Sequence, residues 1–142
     1  MSASTPYIGR SVKRLEDRRF LTGTGRYIDD IKLPDMAVMA IYRSPHAHAR
    51  INAIDLTAAK AVPGVIDAFC AADIDMDLPE IPLRLAPFDG FERFLQRPIA
   101  DDKVRYVGEP VAVVIASDRY IAEDALDLIE VDFAPLPAVT QV

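Results

Sequence analysis

Between Pro110 and Phe133 the rhythm of apolar positions changes twice. Val111 to Ala116 is an unbroken apolar run rich in β-branched residues, the pattern of a strand buried on both faces. Gly108 and Pro110 punctuate its start, one permitting a tight bend and the other fitting a first strand position where no ladder N–H is needed. Ser117 then offers an N-cap, and Asp118 adds a negative charge at the positive end of a helix. Ile121, Ala125, Leu128 and Ile129 recur at helical spacing with Glu123, Asp124 and Asp127 opposite, so the main helix is expected at about 117–129. Val131 and Phe133 alternate with Asp132 in a further strand, which Pro135 and Pro137 stop.

The first half reads strand, turn, strand, short helix, strand. Met36 to Tyr42 is continuous and apolar, a buried strand broken by Ser44-Pro45. Ala49 to Ile54 places Ile51 and Ile54 inward and Arg50 and Asn52 outward. Asp55 caps a short helix at about 55–61, Pro63-Gly64 ends it, and Val65 to Cys70 is the next strand. Residues 1–30 are expected as an N-terminal extended segment and 31–142 as the main domain, interrupted by an irregular loop at about 78–100. That loop holds Pro79, Pro82, Pro87 and Pro98 together with Phe88, Phe91 and Phe94. Loops of this length are usually functional or form interfaces, and apolar residues on a loop need a surface to bury against, either their own domain or a partner.

Composition narrows the classes. A chain of 142 residues buries roughly two-thirds of its unfolded surface in one domain. The net charge of −6 repels phosphate backbones and argues against nucleic acid as a general partner. The single cysteine, Cys70, excludes an intrachain disulfide and suits a reducing compartment. No apolar run approaches the ~20 residues of a membrane span, and the first residues lack a signal-peptide pattern, so a cytoplasmic location is expected.

Candidate chemistry is sparse. His46 and His48, at i and i+2, face one way in an extended chain and invite a metal reading, with Cys70 and an acid completing the set. The competing reading is an exposed turn after Pro45. Gly23-Thr24-Gly25 lacks the third glycine of a phosphate cradle and reads as a turn, with extended chain after it. Asp29-Asp30 shape a turn before Leu33-Pro34. Asp73-Ile74-Asp75-Met76-Asp77 opens like a calcium loop but has Leu78 where glycine is required and Arg84 where glutamate is required. Tyr106, Arg119 and Tyr120 form no constellation, and Tyr120 is expected to pack in the first turn of the main helix. Glu109, beside Gly108 at a strand start, has no visible partner.

Three segments together carry a family resemblance. They are Gly9-Arg10-Ser11-Val12 with Arg14-Leu15-Glu16-Asp17 through Leu21-Thr22-Gly23-Thr24-Gly25-Arg26-Tyr27-Ile28-Asp29-Asp30; Arg43-Ser44-Pro45-His46-Ala47-His48-Ala49-Arg50-Ile51; and Val104-Arg105-Tyr106-Val107-Gly108-Glu109-Pro110-Val111-Ala112 with Asp132 to Val139. In this order they resemble the N-terminal part of the molybdenum-binding large subunit of the xanthine dehydrogenase, aldehyde oxidase and carbon monoxide dehydrogenase family. The resemblance implies an α+β fold, the α/β-hammerhead, with a mixed sheet, one main helix and one short helix. It implies a molybdenum hydroxylase, an oxidoreductase using water-derived oxygen on an aldehyde, an N-heterocycle or CO. The implied complex carries molybdopterin cytosine dinucleotide or a related molybdenum cofactor, 2Fe-2S clusters and FAD. Its pterin-contacting segments and catalytic glutamate lie in later domains with no matching position here. Glu109 belongs to the hammerhead motif and is not that base. No residue of this chain is therefore assigned a catalytic, cofactor-binding or metal role, and Cys70 alone cannot hold a cluster. The implied partners are the remaining domains of the molybdenum-binding subunit and the iron–sulfur and FAD subunits. The isolated chain is expected to be inactive and to self-associate. The alternative is a stand-alone interaction module that binds through the Leu78–Ala100 loop.

Overall fold

The computed structural model describes residues 7–82, 90 and 92–139. The chain divides into two units, Met1–Pro34 and Asp35–Val142.

The second unit is built around strand β5 (Pro110–Ala116). Its β-branched residues suit a pleated strand buried on both faces, and Val111 to Val114 and Ala116 are all buried. It is the centre of a three-stranded sheet, flanked by β1 (Val38–Arg43) and β3 (Val65–Cys70), both antiparallel to it. Opposite residues in a ladder share a face. Ala112 and Val114 therefore stand beside Ala68 and Cys70, and this face is covered by Ala59 of α2 (Thr57–Lys60) and Ala125 of α3 (Arg119–Leu126). Ala59, Ala68, Ala112 and Ala125 have no exposed surface, so small side chains bring the helices close to the sheet.

The second sheet runs β4–β2–β6, from Lys103–Val104, Ala49–Asp55 and Glu130–Pro135, again antiparallel throughout. The mixed sheet expected from the resemblance is thus replaced by two antiparallel sheets. Ala49, Ala100, Val104 and Val111 form a second core cluster, and Tyr42, Ile54 and Val131 pack against both clusters and join them.

Several local expectations change. The register of β2 against β6 shifts between Ile51 and Ala53, so Ile51 and Ile54 both stay half-buried despite their odd spacing. Strand β1 is an edge strand, and Met36 and Met39 are exposed where a buried strand was expected. The main helix is capped by Asp118, whose carboxylate accepts from the Tyr120 amide at 2.8 Å, and not by Ser117. It ends at Leu126. A tighter turn follows, with Leu128 N–H donating to Ala125 O and Ile129 N–H to Leu126 O. That turn buries Ile129 and leaves Leu128 exposed. Gly64 holds φ +93°, and a Cβ there would stand 2.7 Å from Ile121 Cδ1, so only glycine lets the end of α2 meet α3.

Of the 78–100 loop, residues 83–89 and 91, including Pro87, Phe88 and Phe91, lie outside the described residues. Its described ends are joined by Ile81 N–H donating to Gln96 O at 2.8 Å, with one 3-10 turn at Glu92–Phe94. Among the described residues no helix is long and apolar enough to cross a membrane.

In the first unit the segment expected to be extended contains a single-turn helix, α1 (Asp17–Leu21), and a 3-10 turn at Ile28–Asp30. Asp30 shapes that turn by accepting from the Tyr27 amide at 2.9 Å.

Candidate functional site

The two motifs at 43–51 and 104–112 are far apart in sequence and meet at one corner, where β1 ends and β5 begins. The β1–β5 register slips between Tyr42 and Arg43, so Arg43 stands opposite Pro110. Beyond the ladder, Ser44 N–H donates to Glu109 O at 2.9 Å and Gly108 N–H to Ser44 O at 2.8 Å. The Arg43 guanidinium donates to Gly108 O at 2.9 Å. Gly108 has φ +92°, a backbone conformation that a side chain would strain.

Two buried polar residues lie at this corner, Ser44 and Glu109, each 2% exposed. The Glu109 carboxylate accepts from the Arg105 backbone N–H, and its Oε1 lies 3.5 Å from the Arg105 guanidinium. It closes the Arg105–Glu109 turn on itself, while Arg105 also reaches Lys103 O at 3.0 Å and Asp102 at 3.4 Å. The Ser44 hydroxyl donates to His46 O and accepts from His46 N–H, both at 3.0 Å. Pro45 is thereby held in a tight turn. Burying these groups is tolerable because each has its partner.

The histidines are committed to the fold. The His46 ring meets the edge of Phe133 at 5.0 Å between centroids. His48 Nδ1 lies 2.8 Å from Pro137 O, and since a carbonyl only accepts, Nδ1 carries the proton. Leu136 N–H donates to His48 O at 2.9 Å, so His48 ties the start of β2 to the chain after β6. The expected third metal ligand, Cys70, sits in the other core cluster. There its amide donates to Asp73 at 2.9 Å and its thiol lies 3.3 Å from the same oxygen. Burial pushes the Cys70 thiol up, and the bonds from the Cys70 amide and thiol hold Asp73 below the ordinary carboxylate value. Among the described residues no group of three or more His, Cys, Asp or Glu is placed to hold a metal. Asp73, read as the start of a failed calcium loop, instead caps the 3-10 turn Ala71–Asp73.

The other candidates separate. Arg119 pairs with Glu123 at 2.8 Å on the surface of α3. Tyr120 is 74% exposed, where packing was expected, and only its backbone amide is engaged, by the Asp118 cap. Tyr106 is also exposed. One shallow concavity of about 270 Å³ lies between β2 and β6, lined by Ala53, Asp55, Glu130, Val131 and Asp132. The described residues do not fit a pterin or iron–sulfur group: among them no buried side-chain polar atom lacks a partner, and the lone thiol is bonded to Asp73. The corner's chemistry is that of a joint. What sequence reasoning missed is the partner of Glu109, Arg105 at i−4, a spacing that carries no signal outside a helix.

Comparison with known proteins identifies the class. The family described as "Aldehyde oxidase and xanthine dehydrogenase, a/b hammerhead domain" matches residues 22–137. The chain is 46% identical over 132 residues to the "Carbon monoxide dehydrogenase large chain" of Afipia carboxidovorans, covering 93% of this chain and 16% of that protein. It is 42% identical over 132 residues to the "Nicotine 6-hydroxylase large subunit" of Paenarthrobacter nicotinovorans, with the same coverage. Among solved structures it superposes on quinoline 2-oxidoreductase from Pseudomonas putida 86 with TM-score 0.80 and 46% identity, covering 98% of this chain and 18% of that one. The chain belongs to the aldehyde oxidase and xanthine dehydrogenase family and carries its hammerhead domain. It spans about one-sixth of the length of the curated relatives it matches.

Proposed function

We propose that this chain is the non-catalytic structural hammerhead of a molybdenum hydroxylase large subunit, located in the cytoplasm, and that it packs against the cofactor-bearing remainder. The observation that carries this reading is the corner: two of the three segments that mark the family, 43–51 and 104–112, meet there as a joint. The Glu109 carboxylate and the Ser44 hydroxyl are both bonded within the chain, which is the chemistry of a scaffold. The molybdenum cofactor would supply oxygen transfer from water to an aldehyde, an N-heterocycle or CO. Iron–sulfur and FAD partners would carry the electrons away. Substrate choice rests with residues outside this chain.

The test is a tagged pull-down from the native host with molybdenum and iron assayed in the eluate. Both metals and large partners co-purifying is the expected outcome. A clean, metal-free chain would sink the reading and return attention to the 78–100 loop as the binding surface of an independent module.

A further inference from the structure

Residues 7–34 include no buried residue. Of the 21 exposed large hydrophobics among the described residues, ten fall in this stretch, so among the described residues apolar exposure is concentrated here. Ile8, Leu15, Leu21 and Ile28 are 95%, 101%, 87% and 85% exposed. Dense apolar exposure of this kind marks an interaction surface.

The stretch is nevertheless locally ordered. Phe20 and Tyr27 stack at 5.6 Å between centroids with 4° between their planes. Gly25 makes room for that stack, since a Cβ there would stand 2.5 Å from Phe20 Cδ1. The Thr22 and Thr24 hydroxyls donate to Arg18 O and Arg19 O at 2.8 and 3.1 Å. A segment without a core, held by side-chain-to-backbone bonds and one aromatic pair, presents its apolar residues in a fixed arrangement. Binding then costs less ordering entropy.

Charge gives the chemistry of what it meets. Residues 1–34 carry seven Lys/Arg against four Asp/Glu, and residues 35–142 carry nine against 18, so the net −6 divides into +3 and −9. A basic surface studded with apolar residues fits an acidic surface with apolar pockets. The relatives supply the occupant. The match to quinoline 2-oxidoreductase covers 98% of this chain but 18% of that one, so nearly all of this stretch is shared with a chain more than five times longer.

We infer that residues 7–34 form a docking arm that seats Leu15, Leu21 and their apolar neighbours on an acidic surface of the large-subunit polypeptide outside these 142 residues. The inference rests on the reading of the chain as a large-subunit hammerhead. In the native host, Leu15→p-benzoylphenylalanine is introduced, the tagged protein is purified and irradiated, and cross-linked peptides are mapped by mass spectrometry. Molybdenum is assayed in the same preparation. Cross-links to acidic peptides of the large subunit beyond residue 142 are expected. Cross-links confined to residues 35–142, to a second copy of this chain or to another subunit overturn the arm, as does their absence. Molybdenum present with misdirected cross-links overturns the arm alone, and molybdenum absent overturns the functional reading and the arm with it. As a second measurement, Leu21→Glu added to the Leu15→p-benzoylphenylalanine protein is expected to cut the yield of those cross-links about tenfold, as loss of one interface anchor does. An unchanged yield would count against the docking surface.

Discussion

The corner at Ser44 and Glu109 and the arm at residues 7–34 are opposites. The corner buries polar groups that globular proteins usually leave outside, and the arm exposes apolar groups that they usually bury. Each inversion has its own resolution. At the corner the partners are inside the chain, so the inversion stabilises a joint between two distant segments. In the arm no described residue is buried, so the inversion is not resolved within the segment. The difference teaches which segments of a family signature hold the domain together and which hold it to something else.

The sharpest way to break that contrast is to remove the buried carboxylate. Glu109→Ala leaves the Arg105 amide without its acceptor and the guanidinium with only Lys103 O and Asp102, and is expected to destabilise by about 2–3 kcal/mol, somewhat less than a fully buried ion pair because Arg105 is part-exposed. Glu109→Gln, which keeps an acceptor, should cost less than half of that. Urea midpoints at constant m value measure both, and a neutral Glu109→Ala would mean the corner is not a joint. Next in size is the cap of α3: Asp118→Ala is expected to cost about 1 kcal/mol, with Ser117→Ala costing clearly less. A reversal of that order would restore Ser117 as the cap.

A smaller effect depends on pH. Asp73 is held below the ordinary carboxylate value, first by the Cys70 amide and then by its thiol. The folded state therefore binds the proton less tightly than the unfolded one. The contribution is complete above about pH 4 and fades as pH falls through the lower folded value. Asp73→Asn should lower stability at neutral pH, where the contribution is complete, converge with the parent protein in acid and so flatten the acid limb, and an unchanged acid limb would count against this assignment. Smallest is the arm itself. Leu15→Ser should change the stability of the isolated chain by no more than about 0.5 kcal/mol. A larger loss by thermal unfolding would show that Leu15 supports this domain directly.

Some of this was readable before any coordinates. The run Val111–Ala116 announced a strand buried on both faces, and Val65–Cys70 was placed residue for residue, because burial and β-branching act locally. The end of α3 was not readable. Leu128 and Ile129 continue the helical rhythm, but the tight turn after Leu126 satisfies Ile129's burial without another helical turn. Two sheets in place of one mixed sheet could not be read either, since pairing partners lie as far apart as Ala49 and Pro135. Glu109 was legible as part of the family motif, while its role waited on the position of Arg105.

The wide spacing of strand partners sets an order of events during synthesis. Strands β1 and β3 have β5 as their pairing partner, and β2 pairs with β4 and β6. From Arg43 to its partner Pro110 the ribosome must add 67 residues, roughly 3–13 s of translation at ordinary rates. By the end of that interval three strands are finished and neither sheet is closed. The nascent chain therefore leaves the ribosome as a set of unsatisfied edges, and its quality control depends on what shields Val38 to Cys70 until the last third of the domain arrives.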